Sequence, residues 1–232
     1  MAALPQTMRA WTAIRAGSPR DALILQPASP APPAPTGSDI LIKVSHVSLN
    51  PADPHYMRVL PSWIPFRKNA VPGIDFAGTV IAAGPAVPAD SAVKVGSDVC
   101  GGVAWTYLAA GRGTLAEYIS VPANQVALRP ERLSPGAAAG LCGVAGQTAL
   151  LVLNEAGLKD GAKILVNGAS GGVGTVLVQI CKSKGATVVG VCSGANEDFV
   201  KKLGADEVRH LLLETTRVTD CDRSWTTKHT SR

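Results

Sequence analysis

The sequence predicts an α/β chain with a β-rich first domain and a parallel βαβ unit behind it. Three observations carry this reading. Short β-branched and aliphatic runs, broken by Gly and Pro turns, fill roughly the first 125 residues, as a compact barrel-like β domain would. A charge-free stretch from Leu133 to Asn154 follows, with helical signals inside it. Then Lys163 to Val166, a glycine-rich turn, an amphipathic stretch and the apolar run Thr187 to Val191 succeed one another as strand, turn, helix and strand.

Taken in order, Met8 to Ile14 reads as the first strand. Gln26 to Gly37 is proline-rich and reads as a rigid surface connector rather than a ligand for a proline-binding module. Ile40 to Val47 is a strand that runs into the polar, proline-flanked loop Ser48 to Arg58, and a polar loop at a strand end often faces a site. Val71 to Gly84, Lys94 to Val99 and Gly113 to Pro122 each read as a glycine turn with a strand. Ser134-Pro135 starts a helix, as cap residue and first-turn proline. A second helix is expected over Gln147 to Ala156, with Gly157 as its stop.

Composition excludes several function classes. The 232 residues carry a net charge of +5 with no block of five like charges, so nucleic-acid binding has no support beyond a basic pI. The five cysteines (Cys100, Cys142, Cys181, Cys192 and Cys221) are scattered without a C-x-x-C pair. They read as reduced thiols of a cytoplasmic protein, not as a metal lobe or a disulfide framework. No apolar signal region opens the chain, and Met8 to Ile14 reads as a strand of a mature chain rather than a transit peptide. Leu133 to Asn154 is long enough to span a bilayer, but its Pro135, Gly136, Gly140, Gly143 and Gly146 make it two buried helices with a glycine break, not a membrane anchor.

The strongest motif is Gly168-Ala169-Ser170-Gly171-Gly172-Val173-Gly174. It follows a strand and opens a helix whose Val173, Val176, Leu177, Ile180 and Cys181 recur at helical spacing. That helix closes on Lys182, Lys184 and Gly185, cations and glycine where a C-terminus favours them. This context gives the glycines a physical purpose. A pyrophosphate rests on helix N-terminal amides only where no Cβ intrudes. The motif is the fingerprint of dinucleotide binding.

Four segments together resemble the medium-chain dehydrogenase/reductase superfamily, nearest its zinc-independent quinone oxidoreductase and enoyl reductase-like branch. They are SLNPAD at Ser48–Asp53, PGIDFAGTV at Pro72–Val80, GTLAEYISVP at Gly113–Pro122, and the glycine turn with its downstream VCSGANEDFVKKLGAD. The resemblance implies a GroES-like N-terminal domain over 1–130 and the first half of a Rossmann domain over 131–208, with the site in the cleft between. It implies hydride transfer from NADPH to a quinone, enone or enoyl substrate, a small molecule.

The zinc-dependent relatives hold their metal with a Cys, a His-Glu pair and a second Cys. Here the matching loops carry Asn50 and Gly73-Ile74-Asp75, poor zinc ligands beside imidazole and thiolate, so no metal is expected. Without a Lewis acid, substrate must be polarised by hydrogen bonds, and Asn50 and Tyr56 are the catalytic candidates. Asp53 and Asp75 are expected as structural acceptors. Carried over from the family, the cofactor contacts are Thr148, Gly168, Ala169, Ser170, Gly171, Gly172, Val173, Gly174, Ser193 and Asn196. NADPH is expected over NADH because Val191 to Gly194, where NAD enzymes place a carboxylate for the ribose 2′-OH, holds none. Ser193, Asn196 and Lys201 are the donors in reach, although no Arg or Lys directly follows Ser193.

After Val208 the resemblance ends, and 209–232 is expected to be a disordered tail unrelated to the family. A dinucleotide fold of six parallel strands would be half present, which implies a shortened form whose catalytic competence is open. A dinucleotide-binding protein without catalysis and an unstable fragment are the alternatives. The bare edge of the first Rossmann strand would pair with another chain, giving self-association.

Overall fold

A computed structural model describes residues 4–59 and 69–210. Its internal contacts divide the chain into two compact units, one ending at Leu158 and the other beginning at Lys159.

In the first unit, β1 (Thr7–Ala13) alternates inward Met8, Ala10 and Thr12 with exposed neighbours. The short helix α1 (Pro19–Ala22) turns the chain into β2 (Leu23–Pro30), which pairs antiparallel with β1. The expected connector is therefore a strand over its first half. A two-stranded ladder leaves one edge of β2 free, where Pro27 and Pro30 forfeit no needed donor. Then come β3 (Asp39–Ser48), α2 (Ala52–Val59), β4 (Asp75–Ala83), β5 (Asp98–Gly102), α3 (Trp105–Ala109), β6 (Tyr118–Pro122) and β7 (Val126–Leu128). The five strands form one antiparallel sheet in the order β6-β3-β4-β5-β7. Ile40, Ile42, Phe76, Val80, Val99 and Val121 fill its core. The expected polar loop after β3 is the helix α2. Its Pro54 falls in the first turn, where no intrahelical acceptor awaits an N–H, so proline does not break it.

Ser134 caps α4 (Pro135–Cys142) by accepting from the Ala137 amide at 3.2 Å. Helix α5 (Val144–Glu155) begins three residues before its expected start, directly after the break at Gly143, and the two helices meet at 44°. Among the described residues no single helix is long and apolar enough to cross a membrane. Ala138 and Ala139 bury completely against Ala77 and Cys100 on the sheet. This packing puts α4 and α5 with the first unit, so the contacts divide after Leu158 rather than at the expected 130/131 boundary.

The second unit is the expected βαβ arrangement with one strand more. β8 (Lys163–Asn167), α6 (Gly172–Ser183), β9 (Thr187–Cys192), a 3-10 turn at Gly194–Asn196, α7 (Glu197–Lys202) and β10 (Glu207–His210) follow in order. The strands are parallel and ordered β10-β9-β8. Helix α6 presents Gly174, Val178 and Cys181 to the interior, one turn apart. Of the predicted stripe, Val176 and Cys181 are buried, while Leu177 and Ile180 are half-buried beside it. Lys182 at the end of α6 bonds both oxygens of Asp206, at 2.8 and 2.9 Å, and Asp206 also accepts the Val188 amide at 2.7 Å. Arg209 and His210 complete β10, so the expected disordered tail does not include them; 211–232 lie outside the described residues.

Candidate functional site

Two clusters hold the residues singled out by sequence, one in each unit. In the second, the chain leaves β8 at Asn167 and turns at Gly168, whose φ of +72° suits glycine. The turn is held by the Ala169 amide donating to Val191 O and the Gly171 amide donating to Gly168 O, both at 2.9 Å. Gly171 caps α6, which leaves the amides of Gly172, Val173 and Gly174 without intrahelical acceptors. A Cβ at Gly168 or Gly172 would meet no heavy atom within 4 Å, so space stands open beside those amides. At Gly174 a Cβ would lie 2.1 Å from the Gly168 carbonyl oxygen, so only glycine lets the helix start this close to the turn. The cradle fits a pyrophosphate: open amides, helix dipole and no side chain over them.

At the end of β9 the same unit gathers polar groups. Asn196 donates its side-chain amide to Ser170 Oγ at 3.1 Å, fastening this turn to the glycine turn. Ser193 is exposed, and its carbonyl accepts the Asn196 amide at 2.9 Å. Lys201 pairs with Glu197 Oε1 at 2.6 Å, and His210 Nε2 bonds Glu197 Oε2 at 2.7 Å. The Lys201 and His210 contacts hold the Glu197 carboxyl below its usual range.

The first unit assembles a carboxylate cluster around Asn50. The Asn50 amide N–H donates to Asp53 Oδ2 at 2.7 Å, and its side-chain Nδ2 donates to Asp75 Oδ2 at 2.9 Å. Asp75 accepts the Val144 amide on its other oxygen at 2.9 Å, at the start of α5. Asp53 Oδ1 is buried with no hydrogen-bond partner. Burial raises both carboxyls above the ordinary 3.8 against the lowering effect of these hydrogen bonds, and Asp75 adds a smaller upward push on Asp53. Asn50 and Asp53 are polar groups on the wall of a largely apolar cavity of about 580 Å³, with Trp11, Leu49, Met57 and Leu115. A larger cavity, about 710 Å³, lies against Ala28 to Thr36 and contains none of the predicted residues.

The other candidates fall differently. Tyr56 is buried in the core, donates its hydroxyl to the Leu108 carbonyl and packs edge-on against Trp105, with ring centroids 5.5 Å apart. Thr148 is exposed on α5, in the first unit. Among the described residues, no group of three or more His, Cys, Asp or Glu side chains comes together to hold a metal ion. His210, not among the sequence candidates, ends β10 beside the turn that follows β9, beyond the point where the resemblance stops.

Residues 36–131 match the alcohol dehydrogenase GroES-like domain family. A medium chain reductase of Acremonium sp is 35% identical over 88% of this chain and 61% of its own length. The chain belongs to the medium-chain dehydrogenase/reductase superfamily, in its quinone oxidoreductase and enoyl reductase-like branch. Among solved structures, the quinone oxidoreductase from Coxiella burnetii superposes with a TM-score of 0.73 at 34% identity, covering 87% of this chain and 62% of its own. A mycobacterial protein solved in complex with NADPH superposes with a TM-score of 0.73 at 28% identity, covering 89% and 60%. The chain thus spans about 60% of the length of these superfamily relatives. Glycine turn and GroES-like sheet both lie within that span.

Proposed function

We propose that this chain is an NADPH-dependent oxidoreductase that reduces a quinone, enone or enoyl compound without zinc. The observation that carries the reading is the open turn from Gly168 to Gly174, with three helix amides facing space that no Cβ occupies. The mycobacterial relative solved with NADPH supports the cofactor, and the branch's quinone and enoyl reductases support the acceptor class.

Bound at this turn, NADPH would supply the hydride. Gly172, Val173 and Gly174 would hold its pyrophosphate through their amides and Ser193 would face its adenosine ribose, while Asn196, bonded to Ser170, keeps the turn in shape. Asn50, on the wall of the apolar cavity in the first unit, would polarise an acceptor carbonyl. One of its amide hydrogens is committed to Asp75, which fixes the side chain, and the second remains to donate. Tyr56 supports α2 and α3 rather than touching substrate, since its hydroxyl is engaged by Leu108. The free thiols of Cys100, Cys142, Cys181 and Cys192 support a reducing, cytoplasmic setting.

The test is NADPH binding by calorimetry together with NADPH oxidation against a benzoquinone and a short enone. Micromolar-range binding with turnover is the expected result. Binding with no turnover from folded protein would reassign the chain as a non-catalytic dinucleotide binder, and no binding would overturn the cofactor reading.

A further inference from the structure

The end of β9 lacks the basic residue that would follow Ser193 in sequence, yet the fold brings a basic side chain there from another strand. His210 is the last residue of β10 and stands beside Cys192 in the parallel register. Its imidazole reaches over Gly194: a Cβ built on that glycine would lie 3.8 Å from His210 Cε1 and 3.9 Å from Nδ1. The opposite ring nitrogen, Nε2, is held by Glu197 at 2.7 Å, and the other oxygen of Glu197 holds Lys201 at 2.6 Å. The His210 side chain is 46% exposed and that of Lys201 52%, so both can meet a ligand.

Glu197 decides what kind of ligand this is. A carboxylate at the end of β9 would take a ribose 2′-OH and repel a 2′-phosphate. Here the carboxylate stands on α7, and each of its oxygens is already bound to a basic side chain. It orients those side chains instead of accepting from a ribose. With Nε2 fixed on Glu197, the ring presents Nδ1 on the side of Ser193 and Gly194; in the imidazolium form Nδ1 is a donor, and the exposed Ser193 hydroxyl is another.

We propose that His210, positioned by Glu197 and seconded by Lys201, is the specificity-determining residue for the 2′-phosphate of adenosine ribose in this chain. The inference rests on the dinucleotide reading above and deepens it. It makes phosphate selectivity a property of the third strand.

Adenosine 2′,5′-bisphosphate and 5′-AMP are the probes, with NADPH and NADH beside them, each titrated calorimetrically into the full chain and into His210→Ala, His210→Lys and Glu197→Gln. A charge-assisted contact at a half-exposed site predicts that His210→Ala weakens the bisphosphate and NADPH by roughly tenfold and leaves 5′-AMP and NADH unchanged. His210→Lys should restore most of the loss. Glu197→Gln should weaken the phosphorylated ligands less than His210→Ala, because the ring survives but loses its anchor. Equal weakening of phosphorylated and unphosphorylated ligands by His210→Ala, or no change at all, would overturn the inference. Wild-type protein that binds none of the four would instead overturn the dinucleotide reading beneath it. A melt of each variant matching wild type shows that the comparison concerns the site.

Discussion

Asp75 and Gly143 are in such close contact that a Cβ added at the glycine would sit 2.0 Å from the Asp75 carboxyl carbon. The carboxylate fills the break between α4 and α5 and takes the Val144 amide, while its other oxygen holds Asn50. One buried acid thus ties the loop after β3, the strand β4 and the start of α5 together. Negative charge at a helix N-terminus also opposes the helix dipole favourably.

Gly143→Ala should therefore destabilise the first unit by about 1–3 kcal/mol, as overpacking into a fixed neighbour does. Chemical denaturation followed by tryptophan fluorescence measures it, since all four tryptophans precede α4 or lie in the C-terminal segment. An unchanged midpoint would show that α5 can shift away from Asp75.

The two raised carboxyls give a signed pH effect. Their folded-state pKa values lie above the ordinary 3.8, so the folded state binds more protons than the unfolded one just above that value. Their contribution to stability is consequently largest at acid pH and declines as pH rises through the raised values. Asp98 and Glu117 are shifted down, by Arg129 and by Arg9 respectively, and act in the opposite direction below their ordinary values. Asp53→Asn removes one raised group, so its stability measured from pH 4 to 7 should fall less steeply than that of wild type. Parallel curves for the two proteins would refute the assignment.

Asn50→Ala separates binding from chemistry. NADPH affinity should remain, because the glycine turn lies elsewhere in the chain. Turnover should fall by roughly a hundredfold, the usual loss for one polarising donor. Asn50→Asp should be no better, since it places a third carboxylate beside Asp53 and Asp75. Retained turnover in Asn50→Ala would exclude the residue from the reaction.

Gly174→Ala tests the cradle. The added methyl would sit 2.1 Å from the Gly168 carbonyl oxygen and 2.9 Å from the Ala169 Cα, so the turn must open or the helix must start later. Either change spoils the amide array, and NADPH affinity should drop by tenfold or more, about 1.4 kcal/mol at least. Thr175→Ser, which keeps the hydroxyl bonded to Gly172 O at 2.9 Å, serves as the control and should bind normally.

β8 stands at one side of its sheet with β9 as its only strand neighbour among the described residues, and Leu165 on it is 55% exposed. The proposal that this edge drives self-association predicts a concentration-dependent rise in sedimentation coefficient. Leu165→Lys, a charge on an edge strand, should suppress it. A monomer at all concentrations would remove the proposal.

The sequence by itself determined the family, the glycine turn, the parallel strands around it and the main strands of the β-rich unit. The family is legible through four segments that resemble it, and the rest through local periodicity and glycines whose spacing has a steric cause. It also marked Asp53 and Asp75 as hydrogen-bond acceptors, and in the first unit both accept from Asn50. Tertiary structure alone decided what depends on residues far apart in the chain. The Tyr56 hydroxyl meets the Leu108 carbonyl only through the packing of α2 on α3. Gln26 to Pro30 becomes a strand only because β1 offers a partner and leaves prolines a free edge. Helices α4 and α5 join the first unit because Ala138 and Ala139 are small enough to lie flat on its sheet. His210 meets Gly194 and Glu197 only because β10 pairs with β9, and pairing register is a long-range property that no local pattern encodes.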